Sequence, residues 1–214
     1  MGRLRGLRPL MLVDTIEVGG AGKVALQSIG GLVDAGVPVT VANFAYPGRP
    51  SRFSAEARSR GADVLELRQA HRLDYGCLAE LSARVHERGL NLLESHSFKA
   101  HVVAWRLRAV QPLPWLAYAH GWTVETLRVR AYNGLERRLL RLPDQVCVPA
   151  TPIAERLRAA GREAPIAVLP NAIEASAQGI ADAERTTARR ALALPGDAFV
   201  VACIGRLSRE KGVD

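Results

Sequence analysis

The chain has 214 residues, enough for one large domain or for one domain and part of another. Nearly half of them, 48%, are hydrophobic, so a substantial core can be buried. The formal net charge of +8 is almost wholly arginine, with lysine only at positions 23, 99 and 211, and such a balance favours anionic partners without naming one. Cys77, Cys147 and Cys203 are odd in number and widely spaced, which excludes a disulfide framework or a zinc site and points to core packing. Behind Arg3, Arg5 and Arg8 the apolar run from Leu10 to Val13 is too short for a signal peptide, and no window reaches the length of a membrane span. A cytoplasmic protein is expected, with membrane contact confined to a peripheral surface.

Leu10 to Thr15 reads as a buried strand. Val18-Gly19-Gly20-Ala21-Gly22-Lys23 then turns the chain into a helix with Ala25, Ile29, Leu32 and Val33 on one face, ending at Gly36. Val39 to Ala42 is the next strand, and the resulting βαβ unit implies a parallel sheet with right-handed crossovers. The glycine loop admits three readings. Val24 and the short spacing exclude a Walker A loop, whereas Gly20-x-Gly22-x-x-Ala25 satisfies a relaxed dinucleotide fingerprint. The second strand, however, reaches Asn43 without an Asp or Glu to hold a ribose diol. A plain strand-to-helix turn and a phosphate-facing loop remain beside it.

Tyr46 to Arg60 reads as a surface loop leading into a short helix, and Ala62 to Leu67 as a third strand. Leu73, Cys77, Leu81 and Val85 mark an amphipathic helix closed by Gly89. A fourth strand starts at Leu90 and delivers Glu94-Ser95-His96-Ser97, so that His96 stands at a strand's carboxyl end and Ser97 caps the next helix. His101 belongs to that helix, and His71 and His86 are expected in solvent. Pro114 to Ala119 is a fifth strand that delivers His120-Gly121-Trp122, an imidazole beside a glycine at a strand tip.

Glu125 to Leu142 is a basic helix, with Leu127, Ala131, Leu135, Leu139 and Leu142 as its apolar stripe. It either packs on the sheet or meets an anionic bilayer. Nucleic acid is not indicated, because the arginines are not interleaved with aromatics. Gln145 to Val148 is a sixth strand. Thr151-Pro152 opens a helix as an N-cap followed by Pro, with Ile153, Leu157 and Ala160 inward, and Ile166 to Leu169 is a seventh strand before Pro170-Asn171-Ala172. A linker with one Arg/Ala helix leads to Val200 to Ile204, a short buried strand opening into Gly205-Arg206-Leu207-Ser208-Arg209-Glu210-Lys211-Gly212-Val213-Asp214. Arg and Lys five residues apart, at the carboxyl end of a strand, suit a diphosphate: Arg grips oxygens in pairs and Lys adds a movable charge.

This last segment resembles the donor-phosphate motif of glycosyltransferase family 4, retaining nucleotide-sugar-dependent enzymes of the GT-B fold. The glycine loop resembles that family's Gly-Gly-Ala-Glu-Lys, with Gly22 in place of Glu. The segment Asn91 to His96 resembles its Asp-hydrophobic-hydrophobic-His-x-His, with Asn91 in the Asp position. Ala150 stands where Ser is usual, and Asn171-Ala172-Ile173-Glu174 stands for Asn-Gly-hydrophobic-Asp. The resemblance implies an α/β fold: a Rossmann-like parallel sheet flanked by helices over residues 1–170, an interdomain linker and helix over 171–197, and the start of a truncated second Rossmann-like domain over 198–214.

It also implies a site. His120 would be the catalytic residue near the anomeric carbon. Gly19, Gly20, Gly22, Arg206 and Lys211 would bind the donor diphosphate, and His96 and Asn171 would line the cleft. No metal or cofactor is expected besides the nucleotide-sugar co-substrate, and the acceptor would be a saccharide or a lipid-linked one. The family's paired donor-binding glutamates match no position here, so this portion is expected to be inactive alone. A noncatalytic anion- or nucleotide-binding module, degenerate or half of a split protein, is the alternative. A nicotinamide-dependent enzyme, resting on the glycine spacing alone, is the third. The strand from Phe199 to Ile204 is expected to lack a sheet of its own.

Overall fold

The computed structural model describes residues 4–71, 74, 76–122, 127–163, 165–172 and 181–203, without the side chains of 127 and 128. The chain forms two compact units, Met1–Ala172 and Ile173–Asp214.

In the first unit strands and helices alternate: β1 (Pro9–Val13), α1 (Gly20–Asp34), β2 (Thr40–Ala45), α2 (Arg52–Ser59), β3 (Asp63–Arg68), α3 (Leu78–Arg88), β4 (Leu92–Ser95), α4 (Phe98–Arg108), β5 (Trp115–Tyr118), α5 (Leu127–Leu139), β6 (Gln145–Val148), α6 (Thr151–Ala159) and β7 (Ile166–Val168). The strands make one parallel sheet in the order β3-β2-β1-β4-β5-β6-β7. The expected parallel α/β sheet is therefore present with all seven strands.

The order reverses between β1 and β4. Strand residues alternate between two cores, one on each face. Met11, Val13, Val39 and Val41 pack on Ala25, Leu26 and Ile29 of α1 and Phe53 and Ala57 of α2. Leu10, Leu12, Phe44 and Leu93 pack with residues of α3, α4 and α6 on the other face. Burial on both faces explains why β1 is an unbroken apolar run.

Several boundaries differ from the sequence reading. The helix at Thr151 is capped one residue earlier, by the extended Ala150, which offers no side-chain hydrogen bond, and Pro152 sits inside the first turn. In α5 the expected apolar stripe meets the core only in part: Leu139 packs against it, but Leu135 is 51% exposed and Leu142, beyond the helix, is 46% exposed, whereas Leu140, outside the expected stripe, is wholly buried. The inward side of α5 instead carries Glu136, held by two aromatic and imidazole neighbours described below.

The second unit contains α7 (Asp182–Ala191), with acidic residues in its first turn and Arg189 and Arg190 in its last, which suits the helix dipole. No residue of α7 is buried. The expected buried strand does not form among the described residues Val200–Cys203, and Phe199 is 93% exposed. An isolated strand lacks the ladder that would hold it, and no strand among the described residues pairs with it. Cys203 is correspondingly exposed, unlike the buried Cys77 and Cys147, so only two of the three cysteines are core residues.

Candidate functional site

Parallel strands bring every strand-to-helix turn to one edge of the sheet, and the crevice at the reversal of strand order is where an open α/β sheet receives ligands. A cleft of about 560 Å³ lies there, between the ends of β1, β2 and β4. Asp14, Tyr46, Arg49, Phe98, Lys99 and Tyr132 supply its aromatic and charged lining. Tyr46 donates its hydroxyl to Asp14 at 3.3 Å, and the Phe98 and Tyr132 rings meet edge to face at 5.6 Å.

Lys99 was not expected here. It is 6% exposed, donates from Nζ to Gln69 Oε1 at 2.5 Å, and lies 4.7 Å from the centroid of the Phe44 ring. Burial pushes its pKa below the ordinary lysine value, and the neighbouring Asp14 works against that shift. The combination of aromatic faces with paired donors and acceptors suits a polyhydroxylated ligand.

The glycine loop sits beside this cleft. Helix α1 starts without a side-chain cap, and its first internal bond runs from Lys23 N–H to Gly19 O at 2.8 Å. The amides of Gly20, Ala21 and Gly22 therefore point out of the helix end, where anions are favoured. Around Gly19 and Gly20 there is open space, whereas a Cβ on Gly22 would lie 3.3 Å from the Glu17 carbonyl oxygen and 3.5 Å from the Phe53 ring. The absence of a Glu at Gly22 is thus matched by packing that a side chain would displace.

Asn43 resolves the dinucleotide alternative. It is fully buried, and its amide donates to Thr15 O and to the hydroxyls of Ser51 and Ser54. It ties the β1 loop to α2 and has no capacity left for a ribose.

His96 and His120 come together. The β4 ladder continues through a bond from His96 N–H to Leu12 O, and that of β5 through Ala119 N–H to Cys147 O. Gly121 follows with φ of 99°, a conformation L residues rarely adopt, and a Cβ added there would lie 3.3 Å from Ile153 Cδ1. The His96 side chain is fully buried, with Nε2 2.7 Å from Glu94 Oε1 and Nδ1 3.3 Å from His120 Nε2. Tyr118 stacks on His96 at 4.5 Å between centroids, 12° from parallel.

His120 is only partly buried. Desolvation, then repulsion from His96, lowers its pKa from 6.5 to about 4, so the ring is neutral at pH 7.

The opposite face of β4 holds a second network. Trp115 Nε1 donates to Ser95 Oγ at 2.8 Å, and Ser95 is 2.8 Å from His101 Nδ1. Glu136 lies 3.6 Å from His101 Nε2 and accepts from Trp122 Nε1 at 2.6 Å. His101 is 0% exposed, and burial, followed by repulsion from His96 and His120, takes its pKa to about 3. Burial likewise raises that of Glu136.

Asn171 stands exposed after β7 and makes no hydrogen bond with His96 or His120 among the described residues. Asn91 is at the other edge of the sheet, clamping Gly6 O and Arg8 N–H. Arg206 and Lys211 lie outside the described residues. The sequence reading missed Glu94, Tyr118, Glu136 and Lys99. The i, i+2 spacing of Glu94 and His96 on one strand face was the signal for the first.

A family model described as Glycosyltransferase Family 4 matches residues 18–177. The structure of Alr3699/HepE from Anabaena in complex with UDP is similar at a TM-score of 0.66 and 17% identity, over 87% of this chain and 50% of that one. Glycosyltransferase from Rickettsia africae ESF-5 is similar at a TM-score of 0.67 and 9% identity, over 90% and 51%. Sucrose-phosphate synthase from Thermosynechococcus elongatus follows at 0.65 and 18%, over 89% and 53%. The chain spans about half the length of these structures, and the likeness is one of fold. No curated protein sequence matches it.

Proposed function

Because the chain belongs to glycosyltransferase family 4 and carries the Rossmann-like sheet of the GT-B fold, we propose that it is the acceptor-side part of a retaining glycosyltransferase. The reaction moves a sugar from a nucleotide-sugar donor to a saccharide or lipid-linked acceptor. One observation carries this reading: the cleft at the strand reversal and a partly buried, neutral His120 both stand at the carboxyl edge of one sheet. HepE from Anabaena has been solved with UDP-glucose, which supports a nucleotide sugar as the donor.

In this proposal the acceptor occupies the cleft, with a ring against Tyr46 or Tyr132 and hydroxyls on Asp14 and Lys99. His120 meets the transferred sugar as a neutral hydrogen-bonding group. The amides of Gly20, Ala21 and Gly22 approach the diphosphate, Arg206 and Lys211 neutralise it, and Asn171 flanks the cleft. No metal is required, so EDTA should leave transfer unchanged. A leaving diphosphate needs donors on both walls of its cleft, so residues 1–214 alone should transfer slowly. Exposed Leu135 and Leu142, with Arg138 and Arg141 beside them, support peripheral contact with an anionic bilayer, which flotation with anionic vesicles tests.

Saccharide binding to the 214-residue chain tests the central claim. In saturation-transfer NMR, a panel of oligosaccharides should give contacts that Tyr132→Ala and Asp14→Asn weaken. No saccharide contact, with UDP-glucose bound at the α1 end, would favour a noncatalytic anion-binding module, the reading that the uncapped α1 terminus supports.

A further inference from the structure

The ring chain at β4 and β5 fixes more than the position of His120. An ionised carboxylate only accepts hydrogen bonds, so Glu94 Oε1 at 2.7 Å requires the proton of His96 on Nε2. Where that is the only proton on the ring, His96 presents a bare Nδ1. His120 Nε2, 3.3 Å away, is then the donor in that contact. A neutral His120 carrying its proton on Nε2 has a lone pair on Nδ1, and no hydrogen bond to that atom forms among the described residues.

The rings have little freedom to rearrange. Tyr118, His96 and His120 stack with mutual interplanar angles of 12°, 23° and 18°. The His96 side chain is 0% exposed. Such a chain of hydrogen bonds is directional: reversing one member reverses the next.

We propose that Glu94 and His96 are positioning residues that hold His120 in its Nε2–H tautomer and leave His120 Nδ1 as an acceptor for a sugar hydroxyl. The first half stands on this chain alone. The second rests on the transferase reading above. Glu94 occupies the position of the first His in the motif that Asn91 to His96 resembles.

The test is a long-range 15N–1H NMR correlation spectrum of the imidazoles in the 214-residue chain at pH 7. The expected result is a pyrrole-type Nε2 and a pyridine-type Nδ1 for His120, and a pyrrole-type Nε2 for His96. In Glu94→Gln the side-chain amide can donate to His96 instead, so a second His120 tautomer, with the proton on Nδ1, should appear. A wild-type His120 protonated on Nδ1, or doubly protonated, overturns the proposal, and needs no variant to fold. An unchanged His120 tautomer in a folded Glu94→Gln chain overturns it equally. Failure of saccharide binding would sink the transferase reading and leave these outcomes untouched.

Discussion

The two faces of the sheet at β4 and β5 carry the same chemistry in opposite settings. On one face Glu94, His96, Tyr118 and His120 form a chain whose last ring is partly exposed. On the other, Trp115, Ser95, His101, Glu136 and Trp122 form a chain whose imidazole is sealed from solvent. Each contains a carboxylate, buried in Glu94 and partly buried in Glu136, an aromatic ring and a histidine with no solvent of its own. The difference is where the chain ends. A network whose histidine is sealed can only hold elements together, here α4 and α5 against β4, whereas one whose last histidine opens at the ligand edge can act on something outside.

The comparison predicts that changes on the sealed face cost stability and those on the open face cost function. Trp115→Ala should be the most damaging, lowering unfolding free energy by roughly 3–5 kcal/mol, because it empties a site 1% exposed and removes the donor to Ser95. Urea denaturation measures it, and a loss under 1 kcal/mol would break the distinction.

Acidification comes next. Folded His101 and His120 take up protons only near pH 3 and pH 4, while the unfolded chain does so near 6.5. The unfolded state therefore binds more protons across this window. Stability is full above pH 6.5 and falls as pH drops toward 4, by on the order of a few kcal/mol. Glu136, with its pKa raised, offsets part of this at the acid end. Urea midpoints at pH 7.5 and 4.5 read the fall, and His101→Gln should flatten it.

Ser95→Ala should cost less, about 1–3 kcal/mol, by leaving Trp115 Nε1 and His101 Nδ1 without a partner in the interior. An equal loss in Tyr118→Phe would erase the contrast between the faces. The smallest effect lies outside both networks. Ala150→Ser supplies the missing oxygen at the α6 N-cap, so a gain of about 1 kcal/mol is expected with His120 unaffected.

Much of the framework was legible because it depends on local pattern. Strands β1, β2 and β5 to β7 announce themselves by apolar runs, α3 by its Gly89 stop, and α4 by Ser97, whose hydroxyl does accept from Ala100 N–H. Amphipathic spacing failed in α5, where an inward Glu136 is stabilised by Trp122 rather than by solvent. The same failure recurs at Arg162, which reads as a surface residue in Gly161-Arg162-Glu163. It is 5% exposed and donates to the carbonyls of Leu140 and Pro143.

By itself the sequence determined the alternation of elements, the parallel sheet, the family and the arrival of His96 and His120 at strand ends. These follow from periodicity, turn residues and contiguous motifs, which the chain carries locally. Tertiary structure alone decided that His96 meets His120, that Lys99 is buried among rings, and that His101 is sealed while His120 is not. Those facts depend on strand order and on which helix covers which face. Residues tens of positions apart acquire their neighbours, and so their charge states, only when the sheet closes around them.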